Sequence, residues 1–319
     1  MKVVFMGTPD FAVPSLRALL KADYNVVAVV SQPDRPVGRK RVLTPPPVKA
    51  EAERHGIPVL QPLKMRAPDA VAALAAYEPD LIVTAAYGQI LPKQVLSMPK
   101  YGCINVHGSL LPKYRGGAPI QRAIMNGEQW TGVTIMYMAE GLDTGDMISK
   151  VEVSIGPDET AGELFERLSI EGAKLLLDTL PSILDGTAGR TPQNDAEATY
   201  APNLSRDDER IDWSRSASAI YNQLRGLLPH PGAFTTWNGN VFKIWGAKRP
   251  KPHGPQGAAP GEVLHIGENG LEIATGDGVF VATQVQPAGK KFVTAAEFAR
   301  GGQMKRGDVL GAAITEENQ

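Results

Sequence analysis

The chain has 319 residues, which at ~150 residues per domain predicts two domains with cores of adequate size. Hydrophobic residues make up 43% and charged residues 21%, which excludes a disordered or collagen-like chain, and the single cysteine, Cys103, excludes an intramolecular disulfide framework. The formal net charge of −1 provides no overall field to attract a polyanion, so a nucleic-acid partner would have to be bound by a local basic patch.

The first half of the chain alternates short apolar segments with helical patterns. Strands are predicted at residues 3–6, 25–31, 59–60, 81–85 and 102–107, and helices at residues 13–21, 48–55, 68–77 and 120–125. Strands that are apolar throughout and separated by helices indicate a parallel sheet covered on both faces. A β-hairpin at residues 133–138 and 147–153, and a long helix at 161–184 interrupted near Pro181, should complete a doubly wound, mainly parallel α/β domain.

The second half has a different pattern. Residues from about 186 to 208 are rich in Thr, Pro, Asn, Asp and Ala without periodicity, which is typical of a linker. A helix at 216–227 is followed by short strands at 233–237, 241–245, 262–266, 271–274 and 279–284, as a small β-barrel requires. The predicted boundaries are therefore a first domain at 1–189, a linker at 190–208 and a barrel domain at 209–319.

Two polar side chains interrupt the apolar strand predicted at 102–107. Asn105 and His107 project from one of its faces, because side chains alternate along a strand, whereas Ile104 and Val106 project from the other. In an open α/β sheet, ligands bind beyond the carboxyl ends of the strands, and this pair lies at such an end. The spacing alone fits a ligand site and a pair merely hydrogen-bonded to nearby backbone equally well.

A third polar residue, Asp143, lies in a loop between the two hairpin strands. Gly141 and Gly145 give the backbone around it conformational freedom, so the carboxylate could return to the sheet edge; an ordinary Asx-turn explains it equally well. Together with Asn105 and His107 it suits acyl transfer without a covalent intermediate. The amide donates to a developing oxyanion, the imidazole donates to it or moves a proton, and the carboxylate orients the ring or accepts the proton.

Two other chemistries are disfavoured by the sequence. A Ser-His-Asp triad built on Ser109 lacks the Gly-x-Ser-x-Gly elbow, and Ser109 lies too close to His107 along the chain to reach its Nε2 atom. An enzyme that uses NAD is disfavoured because the first strand leads into Met6-Gly-Thr-Pro-Asp-Phe11, which lacks the Gly-x-Gly-x-x-Gly of a dinucleotide site.

Several motifs resemble those of the methionyl-tRNA formyltransferase family. They are MGTPDFA at residues 6–12, NVHGSLLP at 105–112, YRG at 114–116 and GLDTGD at 141–146, and the resemblance runs through both halves of the chain. The combination of NVH with SLLP is specific to enzymes that use 10-formyltetrahydrofolate. The opening GTPDF and the C-terminal part of the chain, including QPAGKK at 286–291, narrow the resemblance to the tRNA enzyme.

The resemblance implies a function and a set of site residues. Asn105, His107 and Asp143 would be catalytic, no metal would be needed, and the C-terminal domain would be an OB-like barrel that binds tRNA. 10-Formyltetrahydrofolate would donate the formyl group to the methionine α-amine of initiator Met-tRNA. The residues implied in folate binding are Ser109, Leu110, Leu111 and Pro112. The alternative is a formyltransferase acting on a small amine, such as a purine precursor or an amino sugar nucleotide, which would need neither a basic loop nor this barrel.

A basic loop follows the second predicted strand. Residues 34–41 carry a net charge of +3, and their basic side chains are Arg35, Arg39, Lys40 and Arg41. Such a run is typical of a solvated loop, but the resemblance implies that it engages the acceptor end of tRNA. No stretch approaches ~18 apolar residues and the N-terminal apolar run is too short for a signal peptide, so we expect a cytoplasmic monomer without a membrane partner.

Overall fold

The computed structural model describes residues 1–38, 40–254 and 257–312. The strands of this part of the chain are β1 (Lys2–Gly7), β2 (Asn25–Val30), β3 (Arg35–Val37), β4 (Val42–Thr44), β5 (Val59–Leu60), β6 (Leu81–Ala85), β7 (Cys103–His107), β8 (Trp130–Tyr137), β9 (Met147–Ser154), β10 (Ala233–Trp237), β11 (Asn240–Lys251), β12 (Val263–Gly267), β13 (Gly270–Ala274), β14 (Val279–Pro287) and β15 (Val293–Thr294). The α-helices are α1 (Val13–Lys21), α2 (Pro47–Arg54), α3 (Pro68–Ala75), α4 (Lys93–Leu96), α5 (Pro119–Met125), α6 (Ala161–Asp185), α7 (Arg206–Glu209), α8 (Ala217–Gly226) and α9 (Ala295–Arg300).

The chain divides into two compact units. The first unit contains residues 1–119, 130–154 and 165–203, and the second contains residues 120–129, 155–164 and the chain from Leu204 onward. Residues 190–203, where a linker is predicted, pair with the first unit, because Thr191 bridges Met147 and Tyr200 bridges Arg115.

The first unit is built on a seven-stranded sheet in the order β5-β2-β1-β6-β7-β8-β9. Its five strands from β5 to β7 are parallel, and β8 and β9 extend the sheet as an antiparallel hairpin. Four consecutive residues of β1, Val3 to Met6, are fully buried, as expected of a strand covered on both faces. The predicted doubly wound, mainly parallel α/β fold is confirmed. The strand order reverses between β1 and β6, which defines the switch point of the sheet.

The long helix α6 differs from the expected one. It runs without a break from Ala161 to Asp185, with Pro181 inside it, so the predicted interruption is wrong. Leu176, Leu180 and Ile183 are spaced four and three residues apart on one face of this helix, and all three are buried. Packing of this face on both sides of the proline holds the last turn in helical conformation.

The second unit contains a separate antiparallel sheet in the order β10-β11-β14-β13-β12, with β15 paired to β14. The predicted strand at 241–245 continues to Lys251, because irregularities in the β11–β14 register carry it past Gly246. The barrel is open: β10 and β12 are not paired with each other in the described part of the chain. The core below the sheet includes Phe242, Ile244 and Phe280, all at most 1% exposed.

Two short segments from the first half of the chain belong to this second unit. Arg122 of α5 donates to both carboxylate oxygens of Asp208, at 2.6 and 2.9 Å. On the same helix, Met125 packs so closely on α8 that a Cβ at Gly226 would lie 2.6 Å from its side chain. The second segment includes Asp158, which accepts two hydrogen bonds of 2.6 Å from Arg249. The second unit is therefore assembled from three stretches of sequence.

Candidate active site

A cavity of about 970 Å³ lies at the carboxyl ends of the parallel strands. Thr8 to Asp10 follow β1, Gln32 and Pro33 follow β2, and residues 86–90 follow β6, so the cavity occupies the switch point of the sheet. Open α/β sheets bind their ligands at this point. The rest of the lining comes from the β3–β4 hairpin, the prolines after it and residues 63–66.

Asn105 and His107 lie at the carboxyl end of β7, beside β6. The hydroxyl of Thr84, on β6, lies 2.8 Å from Oδ1 of Asn105 and can donate to it. With the amide in this orientation, Nδ2 is the donor that remains for a ligand, and the described chain offers it no recorded acceptor. Asn105 itself is half-buried.

Both ring nitrogens of His107 face an oxygen atom. Its Nε2 atom lies 2.9 Å from the carbonyl oxygen of Tyr114, which can only accept, so Nε2 carries the proton in the neutral ring. Its Nδ1 atom faces Oδ2 of Asp143 at 3.7 Å. The side chains of His107 and Asp143 are only 7% and 15% exposed. Nδ1 of His107 therefore faces a carboxylate oxygen in a nearly closed site.

The Asp143 loop brings the carboxylate back to the sheet edge, as one of the two sequence interpretations required. Asp143 has a φ of +52°, in the left-handed region that non-glycine residues seldom occupy. The backbone N–H of Gly116 donates to its Oδ2 atom at 2.8 Å, and the side-chain amide of Gln193 donates to its carbonyl oxygen at 2.7 Å. The loop conformation is thus held by contacts from two distant parts of the chain.

The loop from Ser109 to Pro112 is fixed mainly through its buried members. The Ser109 hydroxyl donates to the carbonyl of Lys113 at 2.6 Å, and the Thr134 hydroxyl donates to the carbonyl of Ser109 at 2.7 Å. Ser109 and Leu111 are buried, whereas Leu110 and Pro112 are partly exposed. Because the Ser109 hydroxyl is engaged by backbone and His107 Nε2 faces Tyr114, these residues do not form a catalytic triad.

Two buried titratable groups near the site, Cys103 and Tyr87, stay protonated at neutral pH. Burial raises the pKa of the Cys103 thiol to about 12, so Cys103 stays protonated and behaves as a small buried side chain. Burial also raises the pKa of Tyr87, in the cavity wall, to about 12. Within residues 1–38, 40–254 and 257–312, no group of three or more His, Cys, Asp or Glu side chains is placed to hold a metal ion.

The basic loop is a β-hairpin formed by β3 and β4. Arg35 lines the cavity, Lys40 and Arg41 are exposed, and Arg39 lies outside the described residues. Asp34, the acidic residue before the hairpin, is bound by Lys49 at 2.8 Å and by Gln61. The hydrogen bond from Lys49 is the main reason why the pKa of Asp34 is lowered.

In the described part of the chain, no carboxylate forms an ion pair with Arg35, Lys40 or Arg41. Since Asp34 is itself paired with Lys49, the hairpin presents positive charge to solvent at the rim of the cavity.

Among the helices that the structure describes, none is long and apolar enough to cross a bilayer.

Comparison with known proteins agrees with this architecture. Residues 1–180 match the model of the formyl transferase family, and residues 203–303 match the model of the formyl transferase C-terminal domain. Two solved structures share the fold at 20% sequence identity. HypX from Aquifex aeolicus, in complex with tetrahydrofolic acid, has a TM-score of 0.62 and covers 93% of this chain and 46% of HypX. The sugar 3N-formyl transferase WlaRD has a TM-score of 0.65 and covers 91% of this chain and 99% of its own.

The fold and the two family matches thus define a two-domain formyl transferase. The chain is 55% identical over 318 residues to the methionyl-tRNA formyltransferase of Bacillus velezensis, covering 99% of each. It is 56% identical over 319 residues to that of Geobacillus thermodenitrificans, covering 99% of this chain and 98% of the relative. The chain belongs to the methionyl-tRNA formyltransferase family, which confirms the resemblance seen in its motifs.

Three residues that contact the candidate site were missed by sequence reasoning. Thr84 lies within an apolar strand, Gly116 was named only as the last residue of the YRG motif, and Gln193 lies in the predicted linker. The first two had a faint signal, since Thr84 is a polar residue in an apolar strand and Gly116 is one of two consecutive glycines. Gln193 had none, because its partner Asp143 is 50 residues away.

Proposed function

We propose that this enzyme transfers the formyl group of 10-formyltetrahydrofolate to the α-amine of methionine on initiator Met-tRNA. The observation that carries the proposal is the position of Asn105 and His107 at the carboxyl end of β7, close to the switch point of the sheet, with Oδ2 of Asp143 3.7 Å from Nδ1 of His107. Formyl transfer needs a donor for a developing oxyanion and an acceptor for the amine proton, and these side chains supply both.

In the proposed reaction, the methionine amine attacks the formyl carbon and a new C–N bond forms. Nδ2 of Asn105 donates to the oxygen, which gains negative charge as the carbonyl becomes tetrahedral. The carbonyl reforms when the bond to N10 of the folate breaks. The amine loses one proton and N10 gains one, so no net proton is produced and tetrahydrofolate is released.

The proton passes through the pair formed by His107 and Asp143. Since Nε2 of His107 is engaged by the Tyr114 carbonyl, the open acceptor is Nδ1, and Asp143 stabilises the imidazolium that forms. The same Nδ1–H can then donate its proton to N10. Asp143 Oδ2 keeps the hydrogen bond from Gly116 throughout, so the carboxylate stays in one place while the charge on the ring changes.

We propose that folate is bound by the Ser109–Pro112 loop, with Leu110 and Pro112 in contact and with Ser109 and Leu111 shaping the loop from within. Two solved structures with this fold were determined with folates: HypX is in complex with tetrahydrofolic acid, and WlaRD is in the presence of 5-N-formyl-THF. 10-Formyltetrahydrofolate enters as a co-substrate, and the reaction as written needs no metal.

The tRNA is proposed to contact the β3–β4 hairpin through Arg35, Arg39, Lys40 and Arg41. The unpaired charge of the described members and their position at the cavity rim support this assignment. We assign chemistry to residues 1–189 and tRNA binding also to the domain at 209–319, joined by residues 190–208. The enzyme is proposed to act in the cytoplasm and as a monomer. Light scattering on the purified protein tests the monomeric state.

The decisive experiment supplies purified protein with 10-formyltetrahydrofolate and either Met-charged initiator tRNA, Met-charged elongator tRNA or free methionine. We expect formylation of the initiator tRNA far faster than of the elongator tRNA, and none of free methionine. Equal rates with the two tRNAs would refute initiator selectivity. Formylation of an amino sugar nucleotide or purine precursor in place of charged tRNA would favour the small-amine alternative.

A further inference from the structure

We infer that Gln193 is a positioning residue for formyl transfer, which fixes the Asp143 loop through a hydrogen-bonded chain anchored on the buried Arg115. The inference rests on the proposed role of Asp143. Gln193 contacts neither Asn105 nor His107 in the recorded hydrogen bonds, so its effect must pass through the loop.

The Asp143 loop needs an external support. Asp143 is in the left-handed region at a φ of +52°, and the two residues before it, Gly141 and Leu142, are exposed. The side-chain amide of Gln193 supplies the support. Its Nε2 atom donates to the carbonyl of Asp143 at 2.7 Å and to the carbonyl of Gly145 at 2.8 Å. One NH2 group therefore clamps two peptide units of the loop.

The orientation of this amide is determined by Arg115. The Nε–H of Arg115 can only donate, and it lies 3.0 Å from Oε1 of Gln193. The oxygen of the amide must therefore face Arg115, which turns both N–H donors of Nε2 towards the two loop carbonyls. The oxygen of the Gln193 amide thus accepts from Arg115, and its NH2 group donates to the carbonyls of Asp143 and Gly145.

Arg115 is a rigid anchor for this chain. Its side chain is only 2% exposed and pairs with Asp195 at 2.8 Å, while its backbone N–H donates to the carbonyl of Thr199. Burial acts to lower the pKa of Arg115, but the hydrogen bonds with Asp195 and Tyr200 outweigh burial and raise it, so the guanidinium stays charged. The side chain is buried and donates to Gln193 and Asp195, and these contacts point to a supporting role.

The side chain and the backbone of Asp143 are thus both positioned by the consecutive residues Arg115 and Gly116. Gly116, the residue after Arg115, donates its N–H to the carboxylate, and Arg115 orients the amide that holds the carbonyl. This arrangement fixes both where the carboxylate lies and the backbone from which it projects. Release of the backbone end alone would let the carboxylate move away from His107 Nδ1 without removing either side chain.

The test is the conservative substitution Gln193→Glu. Glutamate keeps an acceptor for Arg115 and adds an opposite charge, which partly offsets the two hydrogen bonds that the variant loses, so the protein should still fold. It replaces both N–H donors with an oxygen that repels the two loop carbonyls, so kcat should fall about 10- to 100-fold while KM for both substrates changes less than about threefold. The matched control is Asn194→Asp, the same chemical change on the exposed neighbouring residue, whose side-chain oxygen caps Ala196; its kcat should equal that of the wild type.

A double-mutant cycle with Asp143→Asn distinguishes positioning from general damage. If Gln193 acts through Asp143, adding Gln193→Glu to Asp143→Asn should lower kcat less than about twofold further. A wild-type kcat for Gln193→Glu, or a full multiplicative loss in the Asp143→Asn background, would overturn the inference. Wild-type protein that fails to formylate Met-tRNA would instead refute the proposed function, so the two failures are separable.

Discussion

The backbone N–H of Gly116 donates at 2.8 Å to the same oxygen of Asp143, Oδ2, that faces Nδ1 of His107 at 3.7 Å. One carboxylate oxygen therefore serves as structural acceptor and as electrostatic partner of the ring. This dual use depends on Gly116, which has a φ of +118° and leaves no room for a Cβ, since that atom would lie 2.7 Å from the carbonyl oxygen of Ala201.

Substitution of Gly116 by alanine should impair both stability and activity. The strained φ and the clash should lower the free energy of unfolding by about 1–3 kcal/mol, and displacement of the N–H from Asp143 should lower kcat at least ~10-fold. Urea unfolding and single-turnover formylation measure the two effects. Gly189→Ala is the control, because a Cβ at Gly189 meets no atom within 4 Å; equal behaviour of the two variants would contradict the assigned role.

Substitution of Asn105 by alanine should remove the oxyanion donor. Loss of one such donor typically costs ~10²- to 10³-fold in turnover, and we expect this loss in kcat with folate affinity nearly retained. A single-turnover assay at saturating folate measures the chemical step. Asn25→Ala, at an exposed position of β2, should leave the rate unchanged. Near-normal chemistry in Asn105→Ala would exclude this residue from the reaction.

Substitution of Thr84 by valine should act through Asn105. Valine keeps the shape of the buried side chain but removes the hydroxyl 2.8 Å from Oδ1, so the amide loses the partner that orients it. We expect kcat to fall about 10-fold, with little change in KM. Thr84→Ser retains the hydroxyl and should keep most of the activity. If valine and serine variants are equally active, the hydroxyl does not orient Asn105.

Replacement of Arg39, Lys40 and Arg41 by alanine should weaken the salt dependence of tRNA binding. A basic patch of this size neutralises about two to four phosphates, so the slope of log Kd against log salt should fall by about 2. The slope can be measured by filter binding between 50 and 300 mM KCl, on the order of physiological ionic strength. Removal of three exposed lysines from α1, α4 and α6 (Lys21, Lys93 and Lys174) is the charge-matched control. An unchanged slope in the hairpin variant would place the hairpin outside the interface.

Acid should selectively remove the stability contributed by Glu51. This carboxylate is 3% exposed and accepts hydrogen bonds from Arg17 at 2.7 and 2.8 Å. The bond from Arg17 is the main cause of its lowered pKa, with Arg54 and His55 also contributing. A lowered pKa in the folded state means that the contribution is complete above the unfolded pKa, ~4.3, and is lost as pH falls through the folded pKa.

The variant Glu51→Gln should therefore be about 1–3 kcal/mol less stable than the wild type at pH 7, with a difference that shrinks below about pH 4.3. Urea unfolding across this pH range provides the measurement. Glu53→Gln is the control on the same helix, since Glu53 is exposed and its ion pair with Lys49 is long, at 4.0 Å. A difference that stays constant down to about pH 3 would show that the charge of Glu51 is not responsible.

The parallel strands could be predicted because each is a run of apolar residues with helices between. Val3 to Met6 and residues 81–85 needed no tertiary information, and the alternation in β7 placed Asn105 and His107 on one face. The three-residue strands β3 and β4 were not predictable, because both are exposed and one contains Pro36. Their charge was visible in the sequence, but their pairing depends on contacts across a turn.

The supports of the site were harder to predict than its reactive groups. Asn105, His107 and Asp143 stand out because polar residues at strand ends and between glycines are unusual. Gln193 carries its role through contacts with Asp143 and Gly145, in a segment with no periodicity. A side chain that acts by holding the backbone of a distant loop leaves no pattern in its own neighbourhood.

The assembly of the second unit from three stretches of sequence has a consequence for synthesis on the ribosome. Helix α5 is synthesised about a hundred residues before its partner Gly226 on α8, and Arg122 is likewise synthesised before its partner Asp208. At ~5–20 residues per second this delay is about 5–20 s. During that interval Met125 and Arg122 lack the partners that they contact in the folded protein, so α5, with only seven residues, can become a stable helix only after α8 has been made.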